Sequence, residues 1–190
     1  MTSKKQIEIY QHFQIPRNHW DCTISELPEG NHKEIIADWV LNFKSRITGP
    51  GLYMYGEYGV GKSGLGAILL KAAAAHQITG LWLNFKEIND MSIRREDFMF
   101  NSQLSMMERA LEVDFLFVDE FQNRNNQHWP IGKLEDLVRL RHQDLKVTCI
   151  SSNVSPLKVR DTGVCKGLYA VMQEAMTGLK VEGKQFRSQY

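Results

Sequence analysis

The chain has 190 residues and a formal net charge of +1, with 23 basic and 22 acidic side chains. This length suits one domain with a proper core, and near-neutrality excludes a bulk electrostatic attraction to nucleic acid, so any such contact needs a local patch. Three scattered cysteines form no zinc-type pair, and neither a signal-like N-terminus nor a membrane-length apolar run is present, so we expect reduced thiols and a cytoplasmic location.

Residues 1–30 are mixed and polar, with turn signals at residues 15–18 and 27–30. We predict a short N-terminal arm here, too small to be a domain and a candidate docking segment for a partner, while residues 31–190 form the core. Asn31 with Glu34 three residues later resembles a capping box. Apolar residues at helical spacing follow, which predicts a helix with one buried face: Ile35, Ile36, Trp39, Val40 and Phe43.

Residues 56–63 complete the pattern G-x-x-x-x-G-K-[ST], here called the phosphate loop. An apolar run at residues 52–55 predicts a strand before it, and residues 65–76 predict a helix after it. Glycines let backbone N–H groups turn inward on phosphates, and a helix N-terminus adds partial positive charge. The pattern predicts nucleoside-triphosphate binding; the alternative is a chance glycine-rich turn. The candidate binding residues are Gly56, Glu57, Tyr58, Gly59, Val60, Gly61, Lys62, Ser63 and Gly64.

Two of these residues have individual roles in the prediction. Lys62 reaches the β- and γ-phosphates and has a catalytic role, and the Ser63 hydroxyl ligates Mg²⁺.

Later strands and helices alternate along the chain. Apolar runs predict strands at residues 81–85, 115–118, 147–151 and 179–181, and helices are predicted at about residues 103–111 and 133–143. Strands alternating with helices imply right-handed βαβ units and a parallel sheet covered on both faces. The sequence therefore predicts an α/β fold with a five-stranded, mostly parallel sheet between helices.

Polar side chains end two of these strands. Asp119 and Glu120 follow the third strand in a Walker B arrangement, where Asp119 holds Mg²⁺ and Glu120 acts as a general base on the attacking water. The alternative is that the two acids start a solvated loop. Asn153 follows the fourth strand, where an amide can contact the γ-phosphate or the water. The alternative for Asn153 is an asparagine that satisfies its own turn.

The combined pattern resembles the AAA+ ATPases of the DnaC/DnaI helicase-loader group, which includes the IstB transposition ATPases. The resemblance covers about residues 15–187, and its pieces are residues 15–17, 51–63, 118–120, Trp129, residues 137–141, 151–153 and 179–187. It implies a P-loop NTPase with an AAA+ core and little or no C-terminal lid. It also implies a magnesium-dependent ATPase that self-associates with ATP or on its partner, binds a replicative DNA helicase and helps place it on single-stranded DNA. The small size suggests a phage version, and the resemblance then implies a bacterial cell or a phage-infected host as the location.

Two departures from the group matter. Only about 30 residues precede the first core helix, where loaders carry a sizeable helicase-binding domain, so either this arm docks the partner or the partner surface lies on the core. The segment at residues 171–176 has Glu174 where the group's arginine finger is expected, with Lys166 and Arg160 as nearby basic candidates. An arginine finger stabilises transition-state charge, so its absence predicts a slow ATPase or one that a partner completes.

Three other functions stay open. An IstB-like transposition ATPase has the same fold and a different client. A small nucleoside or nucleotide kinase also joins a phosphate loop to an α/β sheet, although no clear arginine-bearing lid is visible. The third alternative is a nucleotide-binding scaffold with negligible turnover.

Several further residues have both a functional and a structural interpretation. Arg141 matches an arginine of the group and ranks above Arg139, although an ordinary surface arginine is the alternative. The pairs at residues 4–5 and 94–95 are candidate DNA contacts or solvated faces. Trp20 and Trp129 are assigned to loops, where they can stack on a base or a partner, and residues 123–128 form a polar loop.

Overall fold

The computed structural model describes residues 3–88, 105–122 and 128–183, apart from the side chains of His128 and Val164. Five strands form one sheet: β1 (Gly51–Tyr55), β2 (Gly80–Asn84), β3 (Phe115–Phe121), β4 (Val147–Ser152) and β5 (Met176–Lys180). Their order is β2-β3-β4-β1-β5, and every neighbouring pair is parallel. This confirms the predicted α/β fold with a five-stranded sheet.

Helices connect the strands and precede the sheet. They are α1 (Lys4–His12), α2 (Asn31–Leu41), α3 (Phe43–Arg46), α4 (Lys62–Ala75), α5 (Met106–Glu112), α6 (His128–Gln143), α7 (Pro156–Asp161) and α8 (Lys166–Ala175). Residues 85–88 are also helical, and 3₁₀ turns occur at Arg17–His19, Ile24–Glu26 and Gly163–Cys165. None of the helices in the described part of the chain is long and apolar enough to cross a membrane.

The sheet separates two hydrophobic clusters. One contains side chains of α2 and α4 against one set of strand residues, including Trp39, Leu69 and Phe117. The other contains side chains of α6 and α8 against the alternate set, including Leu134 and Val118. Because successive strand residues point to opposite faces, each apolar strand contributes to both clusters. The carboxyl ends of β1, β3 and β4 are thereby fixed side by side.

The N-terminal segment packs on this core. Phe13 and Ile15 are buried in the first cluster. The backbone N–H of Trp82 in β2 donates to the Phe13 carbonyl over 2.8 Å. Residue 13 therefore covers part of the edge strand β2, which otherwise presents unpaired backbone groups. Lys71 of α4 also holds the segment, since its Nζ donates to the carbonyls of Trp20 and Cys22.

Several local predictions differ from the structure. Gly30, at φ 150°, is the N-cap of α2, and Asn31 is its first helical residue with no capping side-chain bond. Helix α4 begins at Lys62, within the last two residues of the phosphate loop, rather than at residue 65. Helix α6 begins at His128, so Trp129 lies in a helix and not in a loop. The third strand continues to Phe121, so both acids are part of β3 and do not start a loop.

Arg141 and Arg139 occupy very different surroundings on α6. Arg139 is exposed and pairs with Glu135 over 2.9 Å. Arg141 is fully buried, and its guanidinium donates to the Thr148 hydroxyl and to four backbone carbonyls: Ala110 (2.6 Å), Val113 (2.7 Å), Asp114 (3.2 Å) and Val147 (2.6 Å). It joins α5, α6, β3 and β4, so its role is structural.

Candidate functional site

The phosphate loop connects β1 to α4 at the carboxyl edge of the sheet. Gly59 and Gly61 have φ values of 79° and 94°, in the left-handed region that favours glycine. A Cβ on Gly56 would lie 2.2 Å from the Val181 carbonyl oxygen, because the Val181 N–H bonds to the Tyr55 carbonyl over 2.7 Å. The backbone geometry therefore requires glycine at these three positions.

Helix α4 begins with Gly61 as its N-cap, and no side chain caps its first N–H groups. Such N–H groups are donors without an intrahelical partner, and they carry the partial positive charge of the helix end. A loop that ends in this helix start can present donors to an anion such as a phosphate.

Lys62 crosses from α4 to the tip of β4. Its Nζ donates to the carbonyls of Gly56 (2.9 Å) and Glu57 (2.6 Å) and to Asn153 Oδ1 (2.6 Å). Burial lowers the pKa of Lys62 to about 8, although the nearby carboxylate of Asp119 opposes this change. A partly desolvated cation held by three oxygen acceptors is well placed to bind a polyanion.

Asp119 and Ser63 meet beside this lysine. The Ser63 hydroxyl donates to Asp119 Oδ1 over 3.1 Å, and the Ser151 hydroxyl donates to the same oxygen. Asp119 is 5% exposed, and this burial raises its pKa, against the opposing effect of the two serine hydrogen bonds. A hydroxyl and a carboxylate are the oxygen donors that Mg²⁺ accepts from proteins together with phosphate oxygens and water. Ser63 and Asp119 therefore fit such an ion. The described part of the chain holds no group of three or more histidine, cysteine or acidic side chains that could bind a metal without phosphate or water.

Glu120 is half-buried and has a backbone φ of 60°. A left-handed conformation at a non-glycine residue costs on the order of 1–2 kcal/mol, and such strain concentrates at functional sites. Its Oε2 accepts a hydrogen bond from Asn84 Nδ2 over 3.2 Å. The carboxylate therefore points across the sheet edge toward β2.

Five predicted site residues converge at this edge: Lys62, Ser63, Asp119, Glu120 and Asn153. Lys62 and Ser63 contact Asn153 and Asp119 directly, and Glu120 follows Asp119 on β3. Among the candidate binding residues, Glu57 and Tyr58 are exposed at the loop surface, whereas Val60 is buried in the core.

Sequence reasoning missed two residues of this site, Asn84 and Ser151. Asn84 is the last residue of β2, so a signal was present: a polar residue at the carboxyl end of a strand next to the acid-bearing strand. Ser151 lies inside an apolar strand as one of two consecutive serines, and only the pairing register shows what it contacts.

The other candidate residues lie away from these contacts or outside the described residues. Glu174 on α8, Arg160 and Lys166 are exposed, and Arg160 bonds to Asp161. Trp129 is 57% exposed beside Lys133, while Trp20 is half-buried and its indole N–H donates to the Ile15 carbonyl. The pair at residues 94–95, the loop at 123–127 and residues 184–190, where a lid is predicted to be absent, lie outside the described residues.

The arrangement of the sheet is similar to that of solved replication proteins. The DnaC helicase loader matches with a TM-score of 0.74 and 19% identity, over 88% of this chain and 100% of that chain. DnaI matches with a TM-score of 0.68 and 15% identity, over 90% and 94% of the two chains. The chain has an AAA+ fold.

The replication initiator DnaA, in a structure bound to AMPPCP and single-stranded DNA, gives a TM-score of 0.70 at 16% identity. That match covers 90% of this chain and 51% of the DnaA chain. No family model matches the sequence, and no curated protein matches it either. The AAA+ fold of this chain is thus the one found in the DnaC and DnaI structures, at low sequence identity.

Proposed function

We propose that this AAA+ protein binds ATP with Mg²⁺ at the phosphate loop and hydrolyses it slowly. The observation that carries the proposal is the junction of three elements at one edge of the sheet. Lys62 of α4 bonds to Asn153 beyond β4 over 2.6 Å, and Ser63 bonds to Asp119 of β3 over 3.1 Å. Phosphoryl transfer to water requires a cation for the phosphates, ligands for Mg²⁺ and a residue that activates or positions the water. This edge of the sheet offers a lysine, a hydroxyl–carboxylate pair, a second acid and an amide.

Each of these side chains has a role in the proposed hydrolysis. Lys62 and the N–H groups of the loop bind the phosphates, while Ser63 and Asp119 would hold Mg²⁺, which neutralises phosphate charge when bound. Glu120 accepts a proton from the attacking water as a general base. Asn153 orients the water or the γ-phosphate, since its amide already lies beside the ammonium of Lys62.

Two substitutions test the proposed site. Lys62→Ala is expected to abolish measurable ATP binding in calorimetry, because the phosphates lose their cation, whereas Lys44→Ala, an exposed lysine on α3, is the matched control. Glu120→Gln is expected to bind ATP and Mg²⁺ normally and to hydrolyse ATP about 10²–10⁴-fold more slowly. Wild-type affinity in Lys62→Ala, or wild-type turnover in Glu120→Gln, refutes the assignment of that residue.

We further propose that the client of this ATPase is a replicative DNA helicase, which the protein helps to load on single-stranded DNA. The similarity to the DnaC helicase loader supports the helicase, and the similarity to DnaA bound to single-stranded DNA supports the DNA. A pull-down with the purified host helicase, with and without ATP and Mg²⁺, tests the client. Binding to a transposase instead favours the IstB-like alternative, and phosphorylation of an added nucleoside favours a kinase.

We propose that residues 1–30 dock the client through the exposed side of α1. The rest of the segment is committed to packing, because Phe13 and Ile15 are core residues. Deleting the segment would uncover β2, so paired charge reversal of Lys4 and Lys5, both exposed, is the sharper test. Loss of helicase capture with unchanged ATP affinity supports docking by α1, and unchanged capture rejects it.

We also propose that the protein self-associates with ATP or on its partner. A head-to-tail contact between copies generates a ring or an open spiral. Light scattering with ATP, DNA and helicase tests this, and a strict monomer under all three conditions rejects it.

A further inference from the structure

The carboxyl end of β3 contains a bulge that sets the position of both acids. β3 advances three residues from Val118 to Phe121, while its partner β4 advances two, from Ile150 to Ser152. One residue of β3 is therefore extra, and the left-handed φ of Glu120 lies within the bulge. Bulges of this kind re-aim side chains next to active sites, but they interrupt the ladder and need other hydrogen bonds to hold them.

Ser151 of β4 supplies such bonds to both acids at once. Its hydroxyl oxygen accepts from the Glu120 backbone N–H over 3.1 Å, and the hydroxyl donates to Asp119 Oδ1. The residue is 1% exposed, so water does not compete for these bonds. A hydroxyl has one proton and two lone pairs, so it can make both bonds together.

We propose that Ser151 is a positioning residue that links the Mg²⁺-binding carboxylate of Asp119 to the general base Glu120. The inference rests on the proposed ATP hydrolysis. The backbone of Glu120 sets the direction of its carboxylate, and the Ser151 oxygen holds that backbone in the left-handed conformation. Because the same hydroxyl donates to Asp119, the two acids share one anchor, and the base is oriented relative to the metal ligand.

The next residue provides a matched control. The Ser152 hydroxyl donates to the Phe121 carbonyl over 2.8 Å and accepts from the Val154 N–H over 2.9 Å. It is as buried as Ser151 and stabilises the same bulge. Its two bonds, however, go to the backbone of Phe121 and Val154 and to neither acid. The Ser152 variant therefore tests what the bulge contributes, and the Ser151 variant tests the link between Asp119 and Glu120.

The test compares Ser151→Ala, Ser151→Cys and Ser152→Ala with the wild type and Glu120→Gln. We expect Ser151→Ala to lower kcat about 10-fold to 100-fold, the effect of a misplaced reacting group. Ser151→Cys, which keeps a weak donor of similar size, is expected to lie between Ser151→Ala and the wild type. Ser152→Ala is expected to lower kcat per folded molecule less than Ser151→Ala does, because the bonds it loses go to Phe121 and Val154 and not to the two acids.

Binding of a fluorescent ATP analogue, titrated with and without Mg²⁺, gives a readout besides activity. Ser151→Ala is expected to lose part of the gain in affinity that Mg²⁺ provides and to keep the affinity measured without Mg²⁺. Ser152→Ala is expected to keep the gain and the affinity without Mg²⁺. Equal kcat and equal Mg²⁺ dependence in Ser151→Ala and wild type overturn the link, as does an equal loss in Ser151→Ala and Ser152→Ala. If the wild type shows no turnover, the proposed hydrolysis itself fails, and if Glu120→Gln is fully active, the assignment of Glu120 as the general base fails.

Discussion

Arg141 allows a stability prediction whose size follows from its contacts. The guanidinium is fully buried and makes five hydrogen bonds, four of them to backbone carbonyls. Burial lowers its pKa to about 10, with Asp114 opposing that change, so the group stays charged at neutral pH. Replacing it by methionine keeps much of the volume and removes every donor.

The cost of Arg141→Met comes from the carbonyls left without their donor. A buried polar group without a partner costs about 1–3 kcal/mol. The Asp114 carbonyl keeps a second bond, from the Val147 N–H over 3.1 Å, and removing the buried charge recovers part of its desolvation penalty. We therefore expect a net loss of about 3–5 kcal/mol, a large share of the roughly 5–15 kcal/mol that stabilises a domain.

Urea unfolding followed by circular dichroism measures this loss, provided that the m-value stays constant. Arg139→Ala is the matched control on the same helix, because its exposed pair with Glu135 is worth about 0.3–0.5 kcal/mol. Arg141→Lys, with three donors in place of five, is expected to fall between the two variants. If Arg141→Met is as stable as Arg139→Ala, the carbonyl cluster is not what holds α5, α6 and β4 together.

Three further outcomes are expected. Asn84→Ala should lower kcat about tenfold without changing ATP affinity, because the Glu120 carboxylate loses the amide that orients it; unchanged steady-state kinetics would show that this bond is dispensable. Burial lowers the pKa of His32, so the unfolded state binds more protons below about pH 6.5 and the free energy of unfolding should fall as the pH drops through that region. His32→Leu should reduce the difference in the free energy of unfolding between pH 5 and pH 8, measured by urea titration, because it removes the titrating ring. It also removes Nε2, a buried atom without a hydrogen-bond partner among the described residues. If that difference is unchanged, other groups cause the pH dependence. Glu174→Arg should raise basal hydrolysis if its segment faces a neighbour's γ-phosphate, and a large loss in Lys166→Ala or Arg160→Ala with a silent Glu174→Arg would place the finger elsewhere.

The phosphate loop and strands β1 to β4 were predictable because their signals are local. Glycines at fixed spacing permit the left-handed φ values at Gly59 and Gly61, and runs of four or five apolar residues mark strands that are buried on both faces. The last strand was predicted at residues 179–181, but β5 is Met176–Lys180 and has three exposed residues, so no apolar run marks it. The start of α6 was harder to predict. Its first turn contains His128, Trp129 and Pro130, and proline is tolerated there because the N–H groups of a first turn have no intrahelical partner.

The bulge at Glu120 could not be predicted from composition. Glutamate carries no preference for φ 60°, so its conformation follows from the pairing of β3 with β4 and not from its own sequence neighbourhood. The same is true of Ser151, whose partners are more than 30 residues away in the chain. Asn31 shows the opposite failure: a local capping pattern was present, but Gly30 occupies the N-cap position at φ 150° and no side chain caps α2.

The strand β4 connects the stability of the domain to its chemistry. Its amino end is fixed by Arg141, which donates to the Val147 carbonyl and to the Thr148 hydroxyl. Its carboxyl end carries Ser151, and Asn153 follows directly after it. Between these two ends β4 pairs with both β1 and β3. Because Arg141 and Ser151 share no hydrogen-bond partner, we expect the loss of one to leave the contribution of the other unchanged. Arg141→Lys should therefore lower the free energy of unfolding while kcat per folded molecule stays at the wild-type value, and a parallel fall of both would mean that β4 shifts as a rigid unit.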